Sequence, residues 1–206
     1  MQSVNEVWLT MCKDIINHGV DIFPRGIPAK ELRAYQTVVD MSRPILSIKA
    51  RELGYKFMAA EAYWILQGDN RVESIAPYSK MISEFSDDGV TFFGAYGPKV
   101  IDQLAYVAAC LKKDSDSRQA CINIWREKPG QTKDVPCTMS LQFIIRENVL
   151  HCIDTMRSSD VWLGWPYDVF NMSMITRYVA LYLNEMGGML YDVGNLYLTA
   201  GSQHIY

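Results

Sequence analysis

The chain has 206 residues, 49% of them apolar and 21% charged, and carries a formal net charge of −3 at pH 7. That balance excludes a disordered chain and fits one globular domain spanning residues 1–206. The net negative charge gives no reason to expect binding to a nucleic-acid backbone, and no apolar run is long enough to span a bilayer. Five cysteines, at 12, 110, 121, 137 and 152, form no CxxC pair and no zinc-ligand spacing, so free thiols and no metal are expected. The N-terminal segment mixes acidic and polar residues with apolar ones and reads as an amphipathic helix instead of a signal peptide, which predicts a cytoplasmic protein.

Val4, Val7, Trp8, Met11, Ile15 and Ile16 recur at helical spacing and stop at Gly19, a suitable C-cap. Helical patterns follow over Tyr55–Leu66 and Val100–Leu111. Between Thr138 and Met156 the period changes. Met139, Leu141, Phe143 and Ile145 alternate with Ser140 and Gln142, and Glu147-Asn148 supply a turn, which predicts a β-hairpin. Pro166–Met186 has helical length, with Pro in its first turn and Gly187-Gly188 after its end. The strand-like VGNLYLTAG lies close to the end of the chain. Helices and strands without regular βαβ alternation predict an α+β fold with a mainly antiparallel or mixed sheet.

The segment Val135-Pro136-Cys137, the hairpin, and Met156-Arg157-Ser158-Ser159-Asp160-Val161-Trp162-Leu163-Gly164-Trp165-Pro166-Tyr167-Asp168 carry the chemistry. A cysteine beside a strand is ordinarily a small buried hydrophobe. Its company here resembles the thymidylate synthase superfamily, in which Pro-Cys opens a strand and Arg-Ser-x-Asp-Val-x-Leu-Gly-x-Pro-aromatic-Asn follows. Further matches keep the family's order: Glu61 in AEAYWILQGD, Tyr96 in GAYG, Asp116-Ser117-Arg118, and the terminal GSQHIY, with Phe23-Pro24-Arg25-Gly26 anchoring the start more weakly. A folded sheet whose face meets a second copy is what the resemblance implies.

Carbon 5 of a pyrimidine is a poor nucleophile until a thiolate adds at C6. By resemblance Cys137 is that thiolate, Glu61 the general acid/base, and Tyr96 a member of the same hydrogen-bond network. Attack needs a depressed thiol pKa, which Arg157 is expected to provide. Arg25, Arg118, Arg157 and Ser158 are the implied phosphate donors, with Arg118 reaching across a homodimer. Gln119 stands where the family has a second arginine. His204 and Tyr206 match residues bonding the sugar 3′-hydroxyl, and Gln142 one near the base. The implied one-carbon donor is 5,10-methylenetetrahydrofolate, with Asp160, Leu163 and Gly164 matching pterin-contacting positions.

One departure bears on the base. Where the family has an asparagine after Pro-aromatic, this chain has Asp168, whose carboxylate cannot donate to uracil O4 but can accept from the amino group of cytosine. Asp168 is therefore expected both to read the base and to assist catalysis, as in the deoxycytidylate hydroxymethylases that the chain resembles. Ile82 and Phe85 replace tryptophans that wall off the family's site, which favours entry of water and a hydroxymethyl product. The family's C-terminal tail beyond His-x-Tyr is not matched, so a domain lacking it is expected. Rival expectations are a dCMP methylase, a CMP hydroxymethylase, a dUMP-specific enzyme, or a noncatalytic nucleotide- or RNA-binding homologue. A phage-encoded enzyme in the host cytoplasm is one setting in which cytosine is modified.

Overall fold

The computed structural model describes residues 3–187 and 189–206. Helix α1 (Val4–His18) opens on a capping box, in which Ser3 and Glu6 each satisfy the other's backbone N–H. It buries Val4, Val7, Trp8, Met11 and Ile15 of the predicted stripe together with Cys12, whereas Ile16, one position round the helix from Ile15, is exposed. Strands β1 (Val20–Ile22) and β2 (Ala29–Asp40) follow, then α2 (Tyr55–Leu66), the short α3 (Val72–Ile75) and α4 (Tyr96–Lys113). The chain continues through β3 (Cys121–Asn123), β4 (Thr138–Arg146), β5 (Val149–Asp160), α5 (Trp165–Glu185) and β6 (Asp192–Ile205).

The six strands form one sheet in the order β1-β2-β6-β5-β4-β3. All neighbours are antiparallel except β5 and β6, which run parallel, so the sheet is mixed and the fold α+β. The β4–β5 hairpin closes as anticipated at Glu147 and Asn148, whose φ values of 53° and 62° are the pair a type I′ turn requires. Helices α1, α4 and α5 pack on one face of the sheet, and α2 lies against α4 and α5. The core between the layers takes Leu141, Phe143 and Ile145 of β4, Leu150, Cys152 and Met156 of β5, and Leu196, Leu198 and Ala200 of β6.

The opposite face is less covered. There the register aligns Val38, Tyr197, Ile153, Gln142 and Cys121 in one row across five strands. Among the described residues no helix is long and apolar enough to cross a membrane.

Two boundaries differ from the sequence reading. Helix α4 begins at Tyr96, because Gly97-Pro98 sits in its first turn where Pro is tolerated. The last strand extends through GSQHI, so His204 is a sheet residue. Gly187 follows α5 in the left-handed region with φ 78°, as a helix stop should, while Gly188 lies outside the described residues.

Candidate active site

Four elements meet where β4 begins. Cys137 is half-buried just before that strand, its carbonyl accepting from Arg157 N of β5 at 2.9 Å. The Arg157 side chain reaches back along the same segment, with Nε donating to Pro136 O at 3.0 Å and Nη2 to Val135 O at 2.9 Å. The guanidinium thereby fixes the approach to the thiol and keeps a positive charge beside it. Tyr96, the first residue of α4, accepts from Thr138 N at 3.1 Å through its hydroxyl oxygen, which ties α4 to the residue after Cys137.

One cavity is lined by Glu61 of α2, Tyr96, Asp134, and Asp168 and Asn171 of α5, with Ile82, Phe85 and Phe92 as apolar wall. Asp168 lies in the first turn of α5 and Asn171 one turn further on, so the two share a helix face. Asn171 Nδ2 donates to Glu61 Oε2 at 2.8 Å, while Asn171 Oδ1 is buried without a partner.

The electrostatics favour neutral acids. Burial pushes the Glu61 carboxyl up to about 7, with the Asn171 hydrogen bond pulling the other way. Asp168 is raised well above the usual carboxylate range, first by burial and then by the charges of Asp154, Glu61 and Asp160. Asp154 points from β5 into the interior and is pushed by burial to about 8. The Thr138 hydroxyl lies close enough to draw that value down slightly, yet neither Asp154 oxygen is in hydrogen-bonding geometry with a partner.

The thiol departs from expectation. Burial raises the Cys137 pKa, Arg157 opposes it, and Asp168, Asp134 and Asp154 add to the rise. The guanidinium therefore acts in the anticipated direction but is outweighed by desolvation, and the resting thiol keeps its proton.

The remaining predicted residues fall into three groups. His204 is buried on β6 beside Asp160 in the sheet register, and its ring meets Tyr206 edge-on at 5.1 Å; Ser158 pairs with Ser202 on the same two strands. Asp160 Oδ1 caps the turn into α5 by accepting from Trp162 N and Leu163 N at 2.8 and 2.9 Å. Its Oδ2 has no hydrogen bond among the described residues, the Leu163 side chain is exposed, and Gly164 borders Asp168 Oδ2. A free carboxylate oxygen beside exposed apolar surface fits a heteroaromatic ring bearing N–H donors, as a pterin does.

Arg25, Arg118 and Gln142 are not brought to the cavity. Arg25 is exposed in a turn at φ 53°, and Arg118 is exposed before the edge strand β3. Gln142 sits on the less covered sheet face and donates to Arg118 O at 2.8 Å, so strand alternation turns its side chain away from the cavity expected to hold the base. Asp134, Asp154 and Asn171 went unnoticed in the sequence. Only Asn171 carried a signal there, its position three residues after Asp168 on a predicted helix. Among the described residues no three His, Cys, Asp or Glu side chains are grouped to hold a metal ion.

The chain is 29% identical to a deoxyuridylate hydroxymethyltransferase of Bacillus phage SP01, in an alignment covering 98% of the chain and 56% of that relative. The chain thus spans little more than half the relative's length. The family model described as thymidylate synthase matches residues 6–206, and the chain belongs to that family.

Proposed function

We propose that the chain transfers a one-carbon unit from 5,10-methylenetetrahydrofolate to C5 of a pyrimidine nucleoside monophosphate, with dCMP as substrate and 5-hydroxymethyl-dCMP as product. The observation that carries the choice of base is the place of Asp168 in the wall of the cavity, where burial pushes its carboxyl well above the usual carboxylate range and so favours the protonated form. A neutral carboxyl accepts from the cytosine amino group and donates to N3. As Cys137 Sγ adds to C6, electron density moves toward N3, and Asp168 passes its proton there. Proton transfer in step with C–S bond formation spares the ring a negative charge and leaves a neutral adduct whose N3–H donates to the Asp168 carboxylate in a charge-assisted hydrogen bond.

Glu61, at about 7, is suited to exchange protons with the ring and with water near neutral pH. Arg157 and Ser158, joined by Arg25, hold the phosphate, and His204 and Tyr206 the sugar hydroxyl. Asp160, Leu163 and Gly164 hold the folate, which when bound supplies the electrophilic carbon. Ile82 and Phe85 are smaller than tryptophan and leave water a path to that carbon. Arg118, exposed and distant from the cavity, would serve a second copy docked on the open sheet face, so a homodimer is part of the reading.

A second reading has its own support. The SP01 relative is named for deoxyuridylate, and a neutral Asp168 presents one donor and one acceptor, as the family's amide does. Uracil, however, has no basic N3 to take a proton. Incubation with methylenetetrahydrofolate and dCMP, CMP or dUMP, with products identified by mass, decides among these. Dihydrofolate appears only if the product is methylated, and no turnover with any nucleotide sinks the proposal.

A further inference from the structure

Two of the three carboxylates lining the cavity have roles in the proposed reaction, and Asp134 has none. It stands three residues before Cys137, and its Oδ2 accepts from Gly94 N at 2.7 Å. Its own N–H donates to Thr132 Oγ1 at 3.1 Å. A Cβ on Gly94 would lie 2.4 Å from Asp134 O and 3.0 Å from Oδ1, so the two segments touch through backbone and only glycine fits between them. The carboxylate is thus pinned by one oxygen. Oδ1 accepts no hydrogen bond among the described residues, and Asn171 Oδ1, in the wall of the same cavity, is buried and without a donor.

Two unclaimed acceptors in a cavity bordered by Ile82 and Phe85 suit a small guest with two O–H donors. We propose that Asp134 is the general base that deprotonates the water adding to the one-carbon unit at C5. This rests on the hydroxymethylation reading. Once the folate has left, the nucleotide carries an exocyclic C5 methylene and Cys137 at C6. The water oxygen bonds to the methylene carbon, Asp134 Oδ1 takes the proton, and the methylene π pair moves into the ring. That pair then re-forms C5=C6 as the C6–S bond breaks and Cys137 leaves as thiolate. Burial, which raises the Asp134 carboxyl above its usual range, also makes it a better base.

The step runs in reverse without folate, so it can be isolated. Protein incubated with 5-hydroxymethyl-dCMP or 5-hydroxymethyl-dUMP in ¹⁸O-water should exchange the hydroxymethyl oxygen, read by mass. Asp134→Asn keeps a carbonyl for Gly94 N, and should lower exchange by about 10²–10⁴-fold. Single-turnover tritium release from 5-tritiated dCMP or dUMP with methylenetetrahydrofolate precedes hydration and should stay within about threefold of wild type. Formate should restore exchange to Asp134→Ala. Unchanged exchange in Asp134→Asn, or no formate rescue in an Asp134→Ala protein that still releases tritium, overturns the role of Asp134 and leaves the hydroxymethylation reading standing. No exchange by the wild-type protein on either nucleotide overturns that reading, and the role of Asp134 with it.

Discussion

Asn171 Nδ2 donates to Glu61 Oε2 across 2.8 Å, joining α5 to α2 over 110 positions of sequence. The bond opposes the burial that lifts Glu61 to about 7, so it sets how readily this acid titrates near neutrality. In Asn171→Ala the Glu61 pKa should rise, moving the acid limb of the kcat/KM profile to higher pH. Carbon-13 NMR of the labelled glutamate carboxyl gives the value directly, and an unmoved titration means the bond does not tune the acid. Glu61→Gln should lower kcat by about 10²–10⁴-fold while nucleotide Kd changes far less.

The thiol offers a second test. Among the described residues Arg157 is the one charge that lowers the Cys137 pKa, and its guanidinium also clamps the Val135 and Pro136 carbonyls. Arg157→Met should therefore shift the pH at which iodoacetamide alkylates Cys137 upward, read by mass on the Cys137 peptide. Cys137→Ala should abolish turnover but leave nucleotide affinity largely intact, because the thiolate acts on the transition state more than on ground-state binding. Residual turnover near the wild-type rate would remove Cys137 from its role.

Periodicity made α1, α2 and α5 legible, and the Glu147-Asn148 turn did the same for the hairpin. Strand β2 escaped because Lys30, Glu31, Arg33 and Gln36 interrupt its apolar residues, and Ala34 takes a left-handed φ of 51°. The strand is held by its pairing with β6, a partner more than 150 positions away. The site divides the same way. Cys137, Arg157 and Asp168 lie within one stretch of motif, whereas Asp134 meets Gly94 and Glu61 meets Asn171 only once the layers have packed. Gln142 lies on the other sheet face from Leu141 and Phe143, a placement that its alternation with them in the sequence already implied.

Asp154 links the site to stability. Its folded pKa of about 8 lies above the ordinary value near 4, so the folded state binds more protons than the unfolded one between those values. Stability from this group is therefore present at low pH and lost as pH rises from about 4 to 8, at up to roughly 1.4 kcal/mol per unit. Asp154→Asn should remove that slope. Urea unfolding at pH 5, 6.5 and 8 should show the variant gaining on wild type at each step. A constant difference would mean that Asp154 does not titrate on folding.

Asp168→Asn tests the choice of base with almost no change in size. The wild-type carboxyl carries a proton it can pass to N3 of cytosine as Cys137 attacks; an amide has none to transfer at any accessible pH. The variant should therefore lose dCMP turnover. It should gain dUMP, since its NH2 donates to O4 and its carbonyl accepts from N3–H. Losing proton transfer to N3 removes acid assistance of about 10²–10⁴-fold on dCMP alone, so the dCMP/dUMP ratio of kcat/KM should fall by at least about tenfold. The pH profile supplies a second readout. Wild-type activity on dCMP should decline as Asp168 loses its proton, well above the usual carboxylate range, and the dUMP activity of the variant should lack that limb. If the ratio holds steady in Asp168→Asn, the base is read elsewhere, and deoxyuridylate becomes the better candidate substrate.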